Sequence, residues 1–328
     1  MDLTTRYLGL SLKHPVVASA SPLSHSLDGI RRLEDSNASA IVLFSLFEEQ
    51  IRQEAAIKEA CIRTGAESFA ESLSYFPQSA DYEVGPEPYL ELIRRAVEAC
   101  DVPIVGSLNG VTPEGWVDYA QLMQEAGAAA LELNIYYVAT NLDTSSADVE
   151  QRYVDVLQAV KRVVNIPVAV KVGPYFSAFG AMARRLVDVG ADGLVLFNRF
   201  YQPDLNLQSL AVEPTAELSQ TQDIRLPLRW IALLAGRLET SLAATSGVQC
   251  GDEVIKYLLV GADVAMTTSA LLRHGPEHLA TLVQELIRWL DQRGFQSVSE
   301  MRGLMSQRYI ADPSTFERAN YIKVLQSY

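Results

Sequence analysis

The chain has 328 residues, 48% of them from the apolar set, and a formal net charge of −13, which argues against non-specific attraction to nucleic acid or to an anionic membrane surface. Cys61, Cys100 and Cys250 are too scattered for a disulfide framework or a Cys-x-x-Cys metal pair, and the four histidines complete no ligand set. Met1–Arg6 has no charged block followed by an apolar one, and no run approaches the length of a membrane span, so a cytoplasmic protein without membrane or metal partners is expected.

Along the chain, Tyr7-Leu8-Gly9-Leu10-Ser11-Leu12 reads first, as a small hairpin plugging the bottom of the fold. Eight short apolar runs come next, at roughly 15–20, 40–46, 103–108, 129–134, 167–172, 193–197, 242–246 and 263–267. Most are continuous and not alternating, as parallel strands covered on both faces should be. Helical patterns fill the gaps at about 27–36, 87–100, 115–126, 148–164, 177–189, 226–238, 251–260 and 276–293.

Two junction signatures support this reading. Helices end in Gly before an apolar strand at Ala126-Gly127-Ala128, Val189-Gly190-Ala191 and Val260-Gly261-Ala262, as a left-handed helix stop requires. Strands open on proline at Pro103 and Pro167, where the missing donor does least harm. Strand then helix eight times over predicts an α/β fold, a (β/α)8 TIM barrel, in one domain over residues 1–328. A doubly wound sheet fits less well, since no Gly-x-Gly-x-x-Gly follows the first strand. A C-terminal extension at about 299–328 carries Tyr309, Phe316 and Tyr321, for packing on the outer helices or against a second subunit.

Long connections at 47–86, 135–147 and 198–225 all follow strands, so they should crowd the C-terminal face where barrel chemistry sits. There, Ser246-Gly247 after strand 7 and Thr268-Ser269 after strand 8 offer backbone N–H groups beside helix starts, either as a phosphate site or as two tight turns. Lys171 ends an apolar strand. Its ammonium needs an anionic partner, which an electron-rich ring edge or Glu132 on the neighbouring strand could supply. Asn134 and Asn198 stand at equivalent strand ends, each able to donate to and accept from an imide-like edge.

Taken together, these segments resemble the dihydroorotate dehydrogenase family, particularly its soluble class 1 branch, in order over most of the chain. His14-Pro15-Val16-Val17-Ala18-Ser19-Ala20-Ser21 looks like the family's first strand, Leu131-Glu132-Leu133-Asn134 like its fourth and Val170-Lys171-Val172-Gly173-Pro174 like its fifth. The resemblance implies flavin mononucleotide (FMN) as cofactor, contacted by Ser19, Ala20, Ser21, Ser45, Asn134, Lys171, Ser246, Gly247, Thr268 and Ser269. It also implies a small-molecule substrate contacted by Asn134 and Asn198, and a homodimer. Arg199 replaces a small polar residue of the family. It would favour a carboxylated or phosphorylated substrate, or pair with one of the chain's acidic groups.

The substrate half departs from the pattern. Phe44 stands where the family has a lysine, and Ser72-Leu73-Ser74-Tyr75-Phe76-Pro77 where it has Asn-Gly-Leu-Pro-Asn. Tyr137 takes the place of the Cys or Ser base, and Ala139 that of a second Asn. In the family, a base removes a proton from dihydroorotate C5 as hydride leaves C6. Here the expected catalytic residue is Tyr137, with Tyr136, donating a proton in a flavin-dependent reduction of an activated double bond, since free phenols titrate at about pH 10 and are acids before they are bases. The expected function is an FMN-dependent oxidoreductase on CH–CH groups, acting on dihydroorotate in pyrimidine biosynthesis or on another dihydropyrimidine- or enone-like substrate. Two alternatives stay open: an FMN-binding barrel that has lost catalysis and serves as a partner or regulatory protein, and a flavin-free phosphate-binding aldolase or isomerase using Lys171 and Glu132.

Overall fold

The computed structural model describes residues 1–49, 86–110, 112, 114–199, 202–213, 217–318, 321–322 and 325–326. Cys61 and the Ser72–Pro77 stretch lie outside the described residues. Strands β3 (Val16–Ala18), β4 (Ile41–Val42), β6 (Ile104–Gly110), β7 (Ala130–Ile135), β8 (Val168–Val172), β9 (Gly193–Leu196), β12 (Ser241–Ala244) and β13 (Val264–Thr267) pair in parallel in that order. β13 returns to β3, which closes an eight-stranded barrel. Helices fill the connections: α1 (Leu27–Asp35), α2 (Pro86–Ala99), α3 (Glu114–Glu125), α4 (Ser146–Lys161), α5 (Phe179–Asp188), α6 (Arg225–Leu234) and α7 (Gly251–Val260). After β13 come a short α8 (Ser269–His274) and a long α9 (His278–Arg293). The fold is the (β/α)8 barrel expected from the strand–helix alternation.

The junction residues do what their chemistry predicts. Gly127, Gly190 and Gly261 sit at φ +98°, +104° and +110°. After each, an alanine N–H reaches back to the helix, Ala128 to Met123 O, Ala191 to Leu186 O and Ala262 to Tyr257 O, at 3.0–3.1 Å. Pro103 and Pro167 lack a donor, but their carbonyls still accept from Ile41 and Leu131 on the neighbouring strands.

The hairpin also forms: β1 (Thr5–Tyr7) pairs antiparallel with β2 (Leu10–Leu12). Tyr7, Leu8 and Leu12 are buried in one cluster with Val17, Val42, Val105, Ala130, Ala169, Val195, Ala243 and Val264, one inward side chain from each barrel strand. Small residues in the barrel make room for the plug. A Cβ at Gly193 would lie 2.6 Å from Leu8 Cδ2. Burying each such aliphatic side chain contributes roughly 1.5–3 kcal/mol.

Two features differ from the sequence reading. The second barrel strand is broken: Leu43 N–H still donates to Val105 O of β6 at 3.0 Å, then the chain leaves the ladder over Phe44-Ser45 and returns as β5 (Leu46–Phe47), paired with Leu108 and Asn109 of β6. The long 198–225 connection contains a second hairpin, β10 (Asp204–Asn206) with β11 (Ala211–Glu213). The C-terminal extension begins as α10 (Val298–Met301) with Met301 buried, and Gln307 N–H donates to Ala232 O, so this part packs on the outer helices. Tyr309 and Tyr321 remain exposed. Among the described residues no helix is long and apolar enough to cross a membrane.

His14 precedes the first barrel strand, buried, with Nδ1 accepting from Val16 N–H at 3.2 Å. Burial, reinforced by the charge of Lys13, pushes its imidazole down to about 4, against opposing hydrogen bonds to Asn37. The folded protein thus binds fewer protons here than the unfolded chain between about pH 6.5 and 4. The stabilisation is present above that window and is lost as pH falls through it, up to about 3 kcal/mol. Urea midpoints at pH 7 and pH 5 should show the fall, and His14→Gln should flatten it. An equally steep fall in the variant would assign it to other groups.

Candidate active site

Alternation along the strands carries the inward face upward from the aliphatic layer to a polar one. On β7 it passes from Ala130 to Glu132 and Asn134, on β8 from Ala169 to Lys171, and on β6 from Val105 to Ser107. Lys171 Nζ lies 3.2 Å from Glu132 Oε1, with side chains 11% and 1% exposed. Glu132 Oε2 has no hydrogen-bond partner among the described residues. One strand further on, Asn198 Nδ2 donates to Asn134 Oδ1 at 2.6 Å, tying the ends of two strands that flank β8.

Lys171 opens into a cavity of about 170 Å³ at the C-terminal face. Its wall carries two cations, Lys171 and Arg199, and among the described residues no carboxylate. On the far side, Ser246 and Gly247 both adopt left-handed conformations, φ +75° and +74°. Tyr257 holds that turn by donating to the carbonyls of Thr245 and Ser246 at 3.1 and 2.8 Å. Gly247 N–H donates to Ser219 Oγ at 3.2 Å, and the Ser219 hydroxyl donates to Ser269 Oγ at 2.8 Å. An oxygen thus sits where the two turns converge, satisfied by a backbone N–H and next to a second hydroxyl, the donor set that a phosphate oxygen requires. Gly247 is sterically needed: a Cβ there would meet Ile224 Cγ2 at 2.6 Å and Gln220 O at 2.8 Å.

A second cavity, of about 400 Å³, lies on the loops after β7, β8 and β9, against the start of α4. Tyr137, Tyr175 and Phe176 supply aromatic wall and Val149 aliphatic wall, with Glu150 and Gln202 as polar groups. Arg152 stacks on the Tyr137 ring, 4.2 Å from its centroid. The two cavities share no lining residue.

The family model for dihydroorotate dehydrogenase matches residues 81–290, more than half of the chain. The chain belongs to the dihydroorotate dehydrogenase family. It is 25% identical over 221 residues to a protein of Aeropyrum pernix provisionally named dihydroorotate dehydrogenase A (fumarate), a match covering 65% of this chain and 71% of that one. Two proteins named dihydroorotate dehydrogenase B (NAD(+)), catalytic subunit, each match at 28% identity over 62% of this chain. They come from Anoxybacillus flavithermus and Halalkalibacterium halodurans, with 66% and 68% of their lengths covered.

The expected site residues divide into three groups. Ser19, Ala20, Lys171, Asn198, Arg199, Ser246, Gly247, Thr268 and Ser269 all line the smaller cavity, and Asn134 reaches it through Asn198. Thr268 Oγ1 donates to Ser19 O and Ala20 O at 3.3 and 3.4 Å, joining the first and last strand ends. Ser21 instead caps a 3₁₀ turn at Pro22–Ser24, and Ser45 shares a 2.8 Å hydrogen bond with Ser107 at the break in the second strand; neither lines a cavity. Tyr137 belongs to the larger cavity. Tyr136 is half-buried and lines neither. Arg199 is drawn aside, donating to Glu217 O at 2.9 Å with Asp223 at 3.8 Å.

Phe44 is buried. His25 is packed on its ring at 3.9 Å, with Tyr89 edge-on at 4.9 Å. The sequence reading missed Ser219 and its braces. Arg273 donates to Ser219 O and Leu218 O at 2.8 and 3.0 Å and to Gln249 Oε1 at 2.7 Å, clamping the 217–220 segment over the Ser246–Gly247 and Thr268–Ser269 turns. Nothing periodic marks that segment in the sequence.

Proposed function

We propose that this chain is an FMN-dependent oxidoreductase acting on CH–CH groups of a small dihydropyrimidine- or enone-like substrate, with the phosphate in the Ser246–Gly247 and Thr268–Ser269 turns. The observation that carries this reading is a cation-lined cavity, without a carboxylate among the described residues, in which Gly247 N–H and the Ser269 hydroxyl flank one oxygen position, in a chain of this family. FMN, when bound, supplies two-electron hydride chemistry. The chain's own residues do the rest. Gly247 N–H and the Ser269 hydroxyl hold phosphate oxygens, and Lys171 presents its ammonium to the electron-rich ring edge. The Asn134–Asn198 pair offers an amide donor and acceptor from the ends of the two strands that flank β8. Tyr137, three residues beyond Asn134, is the proposed proton donor.

Purified protein should show the visible flavin spectrum, and an anaerobic reducing substrate should bleach it. Dihydroorotate is the first substrate to try, with fumarate and NAD⁺ as candidate acceptors because relatives are named for them. Tyr137→Phe is expected to lower turnover of the bleaching substrate about 100-fold, the usual scale for a lost general acid, at unchanged flavin content. Colourless protein that takes up no added FMN would sink the flavin reading. Full turnover in Tyr137→Phe would remove that residue from the chemistry while leaving the cofactor assignment standing.

A further inference from the structure

The two cavities differ in charge. Among the described lining residues, the smaller has two cations and no carboxylate, and the larger has one carboxylate, Glu150, and no cation. Nearby guanidinium groups are already engaged: Arg185 with Glu150 at 2.8 Å and Gln151 at 2.9 Å, and Arg152 with the Tyr137 ring. A carboxylated ligand entering the larger cavity would lose its hydration and find no uncommitted cation to pair with, since Arg185 is already neutralised by Glu150. A neutral flat ring would instead gain the faces of Tyr137, Tyr175 and Phe176, with Gln202 to donate to or accept from its edge.

The cavity also stands close to the proposed cofactor face. Tyr137 follows Asn134 by three residues, so their Cα atoms are at most about 11 Å apart, and Tyr175 follows Lys171 by four, at most about 14 Å. Gln202 likewise follows Asn198 by four. Three consecutive strands therefore each end in a residue of the polar layer and then contribute a wall residue to this cavity.

We infer that the larger cavity receives the ring of an uncharged, planar substrate, and that the protein discriminates against the ring carrying a carboxylate. The inference rests on the oxidoreductase reading for the word substrate, but its binding claim does not. Arg199, the cation that would otherwise favour an acid, lines the other cavity and is tethered to Glu217 O.

Dihydrouracil and dihydroorotate form a matched probe pair, differing by one carboxylate. Calorimetric titration of the purified protein should give at least tenfold tighter binding for dihydrouracil. Val149→Trp, which fills the cavity from α4, should weaken that binding at least tenfold at unchanged flavin content. Ala139→Trp, at an exposed lining position, should do the same if the first variant folds poorly. Glu150→Gln, which removes the carboxylate and releases Arg185, should narrow or reverse the preference. Equal or tighter binding of dihydroorotate by the wild type, no binding of dihydrouracil, or indifference to both Trp variants would each overturn the inference. Protein without flavin that still binds dihydrouracil in this pattern would count against the oxidoreductase reading alone.

Discussion

Glu132→Ala is expected to destabilise the protein by about 3–5 kcal/mol, the usual cost of removing one member of a buried ion pair. The variant leaves the Lys171 ammonium inside the barrel, 11% exposed, without the oxygen now 3.2 Å away. Water entering from the cavity mouth compensates only in part, because Glu132 itself is 1% exposed. The double variant Glu132→Met, Lys171→Met should recover most of the loss, since two apolar chains of similar volume bring no desolvation cost. Urea unfolding of the three proteins measures both effects. A loss below about 1 kcal/mol in the single variant would mean that the pair is solvated and that Lys171 is not held in place by Glu132.

Gly247→Ala should cost the protein its cofactor. The backbone there is left-handed at φ +74°, which penalises any L side chain by roughly 1–2 kcal/mol, and the added methyl would press on Ile224 Cγ2 and on the Gln220 carbonyl. The turn can relieve this only by moving its N–H away from the position now held by Ser219 Oγ. Each 1.4 kcal/mol lost there weakens binding about tenfold. Reconstitution of stripped protein with FMN, followed by the quenching of flavin fluorescence, should show at least that tenfold weakening. Wild-type affinity in Gly247→Ala would place the phosphate elsewhere.

The barrel was legible because its signals are local. Pro103 and Pro167 open strands, Gly127, Gly190 and Gly261 close helices, and unbroken apolar runs mark strands buried on both faces. Strand alternation was enough to bring Glu132 and Lys171 together, and that expected pairing is present. The break at Phe44-Ser45 was not legible, since an apolar run looks the same whether or not its N–H groups join the ladder. The hairpin at 204–213 was hidden for a different reason: its Leu205 and Val212 face outward, against the usual pattern. Ser219 reaches the Ser246–Gly247 and Thr268–Ser269 turns through partners 28 and 50 residues away, a distance that no window along the chain covers. Tyr137 could be aligned with a family position, but the side chain's surroundings depend on Arg152 one helix later, and on which loop it leans toward.

The hairpin of Thr5–Leu12 makes the barrel a vessel with a single mouth. Whatever reaches Lys171 must arrive and depart through the C-terminal face, so a deeper guest is covered by any guest that comes after it. On the proposed reading, loading then has an order, with the phosphate-bearing group first and the substrate ring second. The second guest acts as a stopper, so a saturated protein should surrender its cofactor more slowly than an empty one.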